Sequence, residues 1–253
     1  MAKSLNRIAL SHEDRRVYII LYYPRGEGDC SRIDELKRLN ITHLVMRGTT
    51  QLAKNVWVLG KGTVSIVVEG LLRGERRVAV KVRRLDANRP TLKNEAELLK
   101  MANILGVGPK LYGYSDNFIV MELIEGTPID TYILNAHKPQ LVKVIKDLLE
   151  QCRKLDSIGL DHGELSLAKK HVYIVDEKPV IIDFESTSMT RKPTNLTSII
   201  SYLLLRKSKS SKRLQNLLKI NPDKLIDLLR KYKKKITQEN YQAILNEVFK
   251  DTA

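Results

Sequence analysis

Two carboxylates in the second half of the chain are the residues best suited to chemistry. Glu164 lies in the loop His162-Gly163-Glu164-Leu165, and Asp183 ends an apolar run nineteen residues later. A carboxylate at a strand end suits a hard cation such as Mg²⁺, which keeps several waters and takes phosphate oxygens. A second carboxylate can accept the proton of an attacking hydroxyl group. The pair therefore predicts metal-assisted chemistry on a phosphate.

An upstream segment adds residues that suit phosphate binding. The run Gly60-Lys61-Gly62-Thr63-Val64-Ser65-Ile66-Val67 fits GxGxxSxV, and a turn without Cβ atoms lets backbone N–H groups approach phosphates. Alone, these glycines are ordinary turn formers. However, the apolar strand Val78-Ala79-Val80-Lys81 follows, and its lysine must reach solvent or meet an anion. Glu95 lies fourteen positions further on in a predicted helix and can pair with Lys81. This order predicts nucleotide binding.

The first segment reads as a small αβ extension. We predict a strand over Val17–Tyr23, a helix over Arg32–Leu39 capped by Ser31, and a strand over Thr42–Met46. From Asn55 onward, β-branched runs joined by a Leu-Arg-Gly-Glu turn predict an antiparallel meander.

The rest of the chain changes from mixed to helical character after Gly126 and Pro128. Before that point we predict a helix over Pro90–Ile104 and strands over Lys110–Tyr114 and Asn117–Glu122. After it, we predict a helix over Gln140–Ile158, strands over His171–Val175 and Val180–Ile182, and helices beginning near Leu196, Leu214, Asp223 and Gln238. The predicted fold is α+β, divided into an extension (1–54), a mixed lobe (55–124) and a helical lobe (125–253).

These motifs together resemble the protein-kinase superfamily. The HGELS and IIDFES segments are similar to the compact atypical kinases of the RIO and KEOPS-associated type, and to a group of predicted archaeal serine/threonine kinases. The likeness extends from about Asn55 to Leu205. It implies a bilobal kinase-like fold with a five-stranded antiparallel N-lobe and a compact helical C-lobe, ATP as substrate, and Mg²⁺ or Mn²⁺ as cofactor.

The resemblance also implies a role for individual residues. Lys81 would bind phosphate, Glu95 would orient Lys81, Glu164 would be the catalytic base and Asp183 would hold the metal. The implied ATP-binding residues are Gly60, Lys61, Gly62, Ser65, Val67, Ala79, Lys81, Glu95, Met121, Glu122 and Ile124. Within this set, Met121 would gate the pocket, and the backbone at Glu122 and Ile124 would hydrogen-bond adenine.

Two residues depart from the family pattern. Glu164 stands where the family has Asp, which moves the carboxylate by one methylene; a misplacement of about 1 Å can cost about 100-fold in rate. Lys169 stands where the family has a metal-binding Asn, and an ammonium cannot ligate a metal. We hypothesise that Lys169, or its neighbour Lys170, places its charge near the γ-phosphate as a substitute for the second cation. The competing interpretation is that Lys169 faces solvent.

The activation region is short, because Pro193-Thr194-Asn195-Leu196-Thr197 already resembles a helix start. We therefore expect a folded protein, an RNA-bound protein or the enzyme itself as the phosphate acceptor. Three alternatives remain open: a catalytically weak pseudokinase that serves as a nucleotide-binding scaffold, a small-molecule kinase, and a nucleic-acid-binding module. The last of these leaves Lys81 and the two acids unexplained.

Composition gives hints about partners and location. The formal net charge is +15, and the basic excess is concentrated in Arg206 to Lys235. Such a surface favours RNA or ribonucleoprotein, although a solvated helix face accounts for it equally well. Cys30 and Cys152 lie far apart without metal-ligand spacing. No apolar run approaches the roughly 20 residues of a spanning helix, so we expect a cytoplasmic protein without a membrane segment.

Overall fold

The chain forms a mixed α+β structure with antiparallel sheets. The computed structural model describes residues 7–251, so residues 1–6 of the predicted extension and residues 252–253 of the predicted helical lobe lie outside the described residues. Two compact units are present, residues 7–100 with 109–123, and residues 101–108 with 124–251. We refer to them as the N-terminal and C-terminal units.

The described residues contain twelve strands and ten α-helices. The strands are β1 (Arg7–Ala9), β2 (Ile41–Val45), β3 (Thr50–Ala53), β4 (Val56–Val58), β5 (Gly60–Lys61), β6 (Ser65–Leu72), β7 (Arg76–Arg83), β8 (Leu111–Tyr114), β9 (Phe118–Glu122), β10 (Thr127–Pro128), β11 (Val172–Val175) and β12 (Lys178–Ile181). The helices are α1 (Arg15–Leu21), α2 (Ser31–Arg38), α3 (Lys93–Ile104), α4 (Ile129–Asn135), α5 (Lys138–Ser157), α6 (Ala168–His171), α7 (Asn195–Ile200), α8 (Lys209–Leu218), α9 (Pro222–Lys234) and α10 (Gln238–Val248).

The N-terminal unit is built on a seven-stranded sheet in the order β1-β2-β6-β7-β9-β8, with β5 paired to β6. The long hairpin β6–β7 closes through Arg73 and Gly74, both at positive φ. This is the predicted meander. Strand β2 joins the sheet by pairing with β6, so strands from the first 54 residues share one sheet with those of the predicted mixed lobe.

The strand predicted over Val17–Tyr23 is wrong, because this segment forms helix α1. The Asp14 carboxylate caps that helix by accepting from the Arg16 N–H at 2.9 Å. Val17, Ile20 and Leu21 are buried at helical spacing. Seven successive apolar residues fit either period, and the cap together with one-sided burial decides in favour of the helix.

Other boundaries differ by a few residues from the predictions. Helix α2 has Cys30 at its N-cap position rather than Ser31, and the Cys30 side chain makes no capping hydrogen bond. Helix α3 begins three residues after Pro90, and α8 begins five residues before Leu214. The remaining predicted helices and strands are present within about three residues of their expected bounds.

One face of the large sheet is covered by helices α1 and α2. Their apolar residues Val17, Ile20, Ile33 and Leu36 belong to the same buried cluster as Val78, Val80 and Val82, the alternate residues of β7 that face the helices. Side chains alternate across a strand, so Ala79 and Lys81 lie on the opposite face. The extension therefore covers one face of this sheet and leaves the lysine face to other contacts.

The C-terminal unit is organised around α5. Its apolar residues lie on one buried face, as predicted: Leu141, Val144, Ile145, Leu148, Leu149, Cys152 and Leu155. Asp156, near the end of α5, is buried and accepts hydrogen bonds from Asn195 N, Asn195 Nδ2, Leu196 N and Tyr232 OH at 2.8–3.1 Å. This carboxylate ties α5 to α7 and α9. Burial is the main influence on the pKa of Asp156 and raises it, although these donors oppose the shift.

Candidate active site

Lys81 and Glu95 form a buried ion pair in the N-terminal unit. Lys81 Nζ donates to Glu95 Oε1 at 2.7 Å, and the two side chains are only 4% and 5% exposed. The pairing predicted from the sequence is therefore present. A buried charge must be paired, so each residue fixes the position of the other.

Several candidate ATP-binding residues share the sheet face of Lys81. Val67 lies directly opposite Lys81 in the β6–β7 ladder, and Met121 lies opposite Ala79 in the β7–β9 ladder. Residues paired in an antiparallel ladder point to the same side, as do residues two apart along a strand. Val67, Ala79, Lys81 and Met121 therefore line one face.

The glycine-rich segment forms a tight hairpin between β5 and β6. Gly60 pairs with Val67, and the Gly62 N–H donates to the Ser65 carbonyl at 2.8 Å. A Cβ at Gly60 would meet nothing within 4 Å, and one at Gly62 would meet only the Ser65 oxygen at 3.5 Å. Lys61 extends to Tyr23, with its Nζ 3.3 Å from the hydroxyl oxygen, while Ser65 is buried. The backbone at both glycines is thus open to a close approach by a ligand.

The segment proposed to contact adenine has one backbone group already engaged. The Glu122 N–H donates to the Lys110 carbonyl at 2.8 Å, so a contact between Glu122 and a base would use its carbonyl oxygen. Ile124 begins the second stretch of the C-terminal unit.

In the C-terminal unit, the buried imidazole of His162 holds the Glu164 loop beside the strand end that carries Asp183. His162 Nε2 lies 3.0 Å from the Ile182 carbonyl, and Nδ1 lies 3.4 Å from the donating Glu164 N–H. A carbonyl only accepts, so Nε2 carries the proton. Burial lowers the pKa of His162 to about 4, and a neutral ring can accept at Nδ1. Its ring also packs edge-on against Phe184 at 5.2 Å between centroids.

Asp183 has an unusual backbone conformation. Its φ is 67°, in the left-handed region that non-glycine residues rarely adopt. The following segment is fastened to the loop over residues 161–167, which we call the acidic loop, by two backbone hydrogen bonds of 2.9 Å between Asp161 and Ser188. The Asp161 carboxylate accepts from Arg191 Nε and Thr194 N, both at 3.0 Å. Backbone strain of this kind is enriched at functional sites, although six other described non-glycine residues also have positive φ.

Glu164 and Asp183 converge on His171, which the sequence motifs do not indicate as a site residue. Ligand atoms of Glu164, His171 and Asp183 all lie within 4.8 Å of one another. His171 Nε2 is 3.3 Å from Glu164 Oε2, and Nδ1 is 4.0 Å from Asp183 Oδ2. Lys169 and Lys170 are exposed. The sequence contains one hint of this role. Lys169, at the position of the family's metal-binding Asn, cannot ligate a metal, whereas a histidine, which can, follows two residues later.

Part of the basic segment borders the same loop. A cavity of about 720 Å³ in the C-terminal unit is lined by Ser166 and Leu167 of the acidic loop and by the basic residues Arg206, Arg230 and Lys233. The basic residues come from the end of the π-helical turn Ser201–Leu205 and from α9. This arrangement places three positive charges around a cavity that the acidic loop also lines.

Comparison with known proteins places the chain in the class of atypical kinases. The model of the RIO domain matches residues 69–200, which is more than half of the chain. The chain belongs to the RIO domain family, which implies a kinase or ATPase-like activity. It is also similar to an uncharacterized protein of Methanocaldococcus jannaschii, with 31% identity over 115 residues, covering 46% of this chain and 97% of the relative.

Within residues 7–251, no helix is both long enough and apolar enough to cross a membrane.

Proposed function

We propose that this protein is an atypical serine/threonine kinase that transfers the γ-phosphoryl group of ATP, with a divalent metal, to a protein or to itself. The observation that carries the proposal is the convergence of the Glu164 and Asp183 carboxylates, which lie within 4.8 Å of a common histidine. Phosphoryl transfer needs a positioned hydroxyl and neutralisation of the phosphate charge, and little else from the protein.

The N-terminal unit would bind the nucleotide in this proposal. Lys81, oriented by Glu95, would contact the α- and β-phosphates. Backbone N–H groups of the hairpin over residues 60–67, other than the Gly62 N–H that already donates to Ser65, would face the phosphates. Met121 and the Glu122 carbonyl would contact adenine from this unit; the Ile124 N–H, the other adenine contact expected from the sequence, belongs to the C-terminal unit. The open space at Gly60 and Gly62 supports a close approach of phosphate to the backbone.

The C-terminal unit would supply the metal ligand and the base. Asp183 would hold Mg²⁺ or Mn²⁺, and the metal when bound would neutralise charge on the phosphates. Glu164, whose side chain is 35% exposed, would accept the hydroxyl proton. Its extra methylene predicts a slow enzyme rather than an inactive one. Lys169 would place its ammonium near the γ-phosphate.

Autophosphorylation has candidate acceptors close to Asp183. Ser186 and Ser188 are partly exposed, whereas Thr187 is buried. RNA or a ribonucleoprotein would suit the three cationic side chains around the cavity beside the acidic loop. A nucleotide-binding scaffold without transfer is the second candidate function, because Lys169 cannot provide the metal-binding oxygen of the family's Asn.

Labelled ATP separates these functions. The full chain is incubated with γ-labelled ATP and Mg²⁺ or Mn²⁺, alone and with RNA or a basic protein, beside an Asp183→Ala variant. Label on protein that disappears in the variant supports the kinase. ATP binding without transfer supports the scaffold. Transfer that survives in Asp183→Ala contradicts the assignment of Asp183.

A further inference from the structure

His171 lies between the two functional carboxylates and is almost completely buried. Its exposure is 6%, and its two ring nitrogens face different acids: Nε2 is 3.3 Å from Glu164 Oε2, and Nδ1 is 4.0 Å from Asp183 Oδ2. All three residues belong to the C-terminal unit. The imidazole is therefore positioned to interact with anything that Asp183 binds.

The Nδ1 atom of His171 is buried and has no hydrogen-bond partner within the described part of the chain. Buried polar atoms are nearly always satisfied, so an exception calls for an explanation. In a neutral imidazole, one nitrogen donates and the other offers a lone pair. With the Nε2 proton directed at Glu164, the lone pair of Nδ1 is free to bind a cation.

The spacing between Nδ1 and Asp183 suits a metal ion. Metal–nitrogen and metal–oxygen bonds of about 2.0–2.2 Å place the two ligand atoms up to about 4 Å apart, and the observed separation is 4.0 Å. A metal-ligating histidine almost always donates its other N–H to a carboxylate or carbonyl, which fixes the tautomer. Glu164 stands in that place.

Helix α6 brings His171, rather than the residue at position 169, to the two carboxylates. This single turn leaves Lys169 exposed and directs His171 inward. The nitrogen that faces Asp183 thus belongs to a residue two positions after the Asn position of the family.

We propose that His171 Nδ1 and Asp183 together bind a first-row divalent metal such as Mn²⁺, with Glu164 accepting the Nε2 proton of His171. Imidazole favours transition metals, whereas Mg²⁺ prefers oxygen ligands. The site would therefore select Mn²⁺ over Mg²⁺. The inference rests on the proposed function only for the role of Asp183, because metal binding is measurable without ATP.

Electron paramagnetic resonance of Mn²⁺ tests the site directly. The full-length protein is titrated with Mn²⁺ in the absence of nucleotide, and electron spin echo spectra of the loaded protein are recorded for ¹⁴N coupling. We expect ¹⁴N coupling from a bound imidazole in the wild type. In His171→Ala the coupling should vanish, and the Kd for Mn²⁺ should rise by about ten-fold or more. His12→Ala, which removes an exposed histidine, should match the wild type.

Two results would overturn the inference. Wild-type protein without ¹⁴N coupling, or an unchanged Kd in His171→Ala, would mean that His171 only pairs with the two carboxylates, and the inference would be overturned. A His171→Gln variant, checked for an unaltered unfolding midpoint, keeps the test valid if the alanine variant does not fold. Mn²⁺ binding with ¹⁴N coupling but without phosphoryl transfer would contradict the proposed kinase alone.

Discussion

The two sets of candidate functional residues are held in place by different means. Lys81 and Glu95 stand on a regular strand and a regular helix, and they are buried and paired at 2.7 Å. Glu164 and Asp183 stand on irregular backbone, with side chains 35% and 40% exposed. Their positions depend on His162, on a residue at positive φ and on loop hydrogen bonds. Substitutions in the first set should therefore mainly lower the free energy of unfolding. Substitutions in the second set should mainly slow phosphoryl transfer.

The largest stability effect is expected for the buried pair. Glu95→Gln removes the negative charge that faces Lys81 Nζ at 2.7 Å in a buried site, which should lower the free energy of unfolding by roughly 4 kcal/mol. Glu97→Gln, an exposed acid on the same helix, should change it by less than about 0.5 kcal/mol. Urea unfolding monitored by circular dichroism measures both.

Two further variants sharpen this contrast. The double variant Lys81→Met with Glu95→Leu should recover most of the loss, because two apolar groups replace the pair. Glu164→Gln should shift stability by less than about 1 kcal/mol, since its carboxylate is partly solvated. A Glu164→Gln loss as large as that of Glu95→Gln would contradict the difference between the regions.

A pH effect of about 3 kcal/mol is expected from His162. Burial lowers its pKa to about 4, from an ordinary 6.5. The unfolded chain therefore gains a proton first as the pH falls, so this stability is complete above pH 6.5 and is lost between pH 6.5 and about 4. Urea midpoints at pH 7.5 and 5 should differ less in His162→Gln than in the wild type. Equal pH dependence in both would show that His162 does not titrate as described.

A smaller effect is expected at the glycine before Glu164. Gly163 has φ 87°, and a Cβ there would lie 2.5 Å from Arg191 Nη2 and 2.9 Å from the Ser186 oxygen. Gly163→Ala should cost about 2 kcal/mol. Gly106→Ala, at φ 72° with nothing within 4 Å of its Cβ, should cost about 1 kcal/mol. Thermal unfolding of the two variants provides the comparison, and equal losses would mean that the Gly163 contacts relax freely.

The contrast between regular elements and irregular backbone also explains which parts of the fold and the site could be predicted from the sequence. Lys81 and Glu95 were identifiable because regular elements have fixed periods, so order and spacing suffice to predict a pair. The strand prediction over Val17–Tyr23 is wrong because seven successive apolar residues fit both periods. The pairing of β2 with β6 depends on long-range packing, which local patterns do not encode.

His171 could not be assigned to the site from the sequence alone. It lies where a four-residue helix meets a strand, and the direction of its ring follows from backbone angles in an irregular segment. The family pattern directs attention to position 169, where Lys169 stands. The fold instead brings His171 to the two acids, which only three-dimensional contacts reveal.

Glu164 is proposed to act as the base in phosphoryl transfer. Single-turnover transfer from γ-labelled ATP, measured for wild type, Glu164→Asp and Glu164→Gln at saturating metal, tests this role. Loss of a general base costs about 10²- to 10⁴-fold, so Glu164→Gln should be at least about 100-fold slower. Glu164→Asp, which keeps the carboxylate, should retain measurable transfer. A Glu164→Gln variant as fast as the wild type would show that Glu164 is not the base.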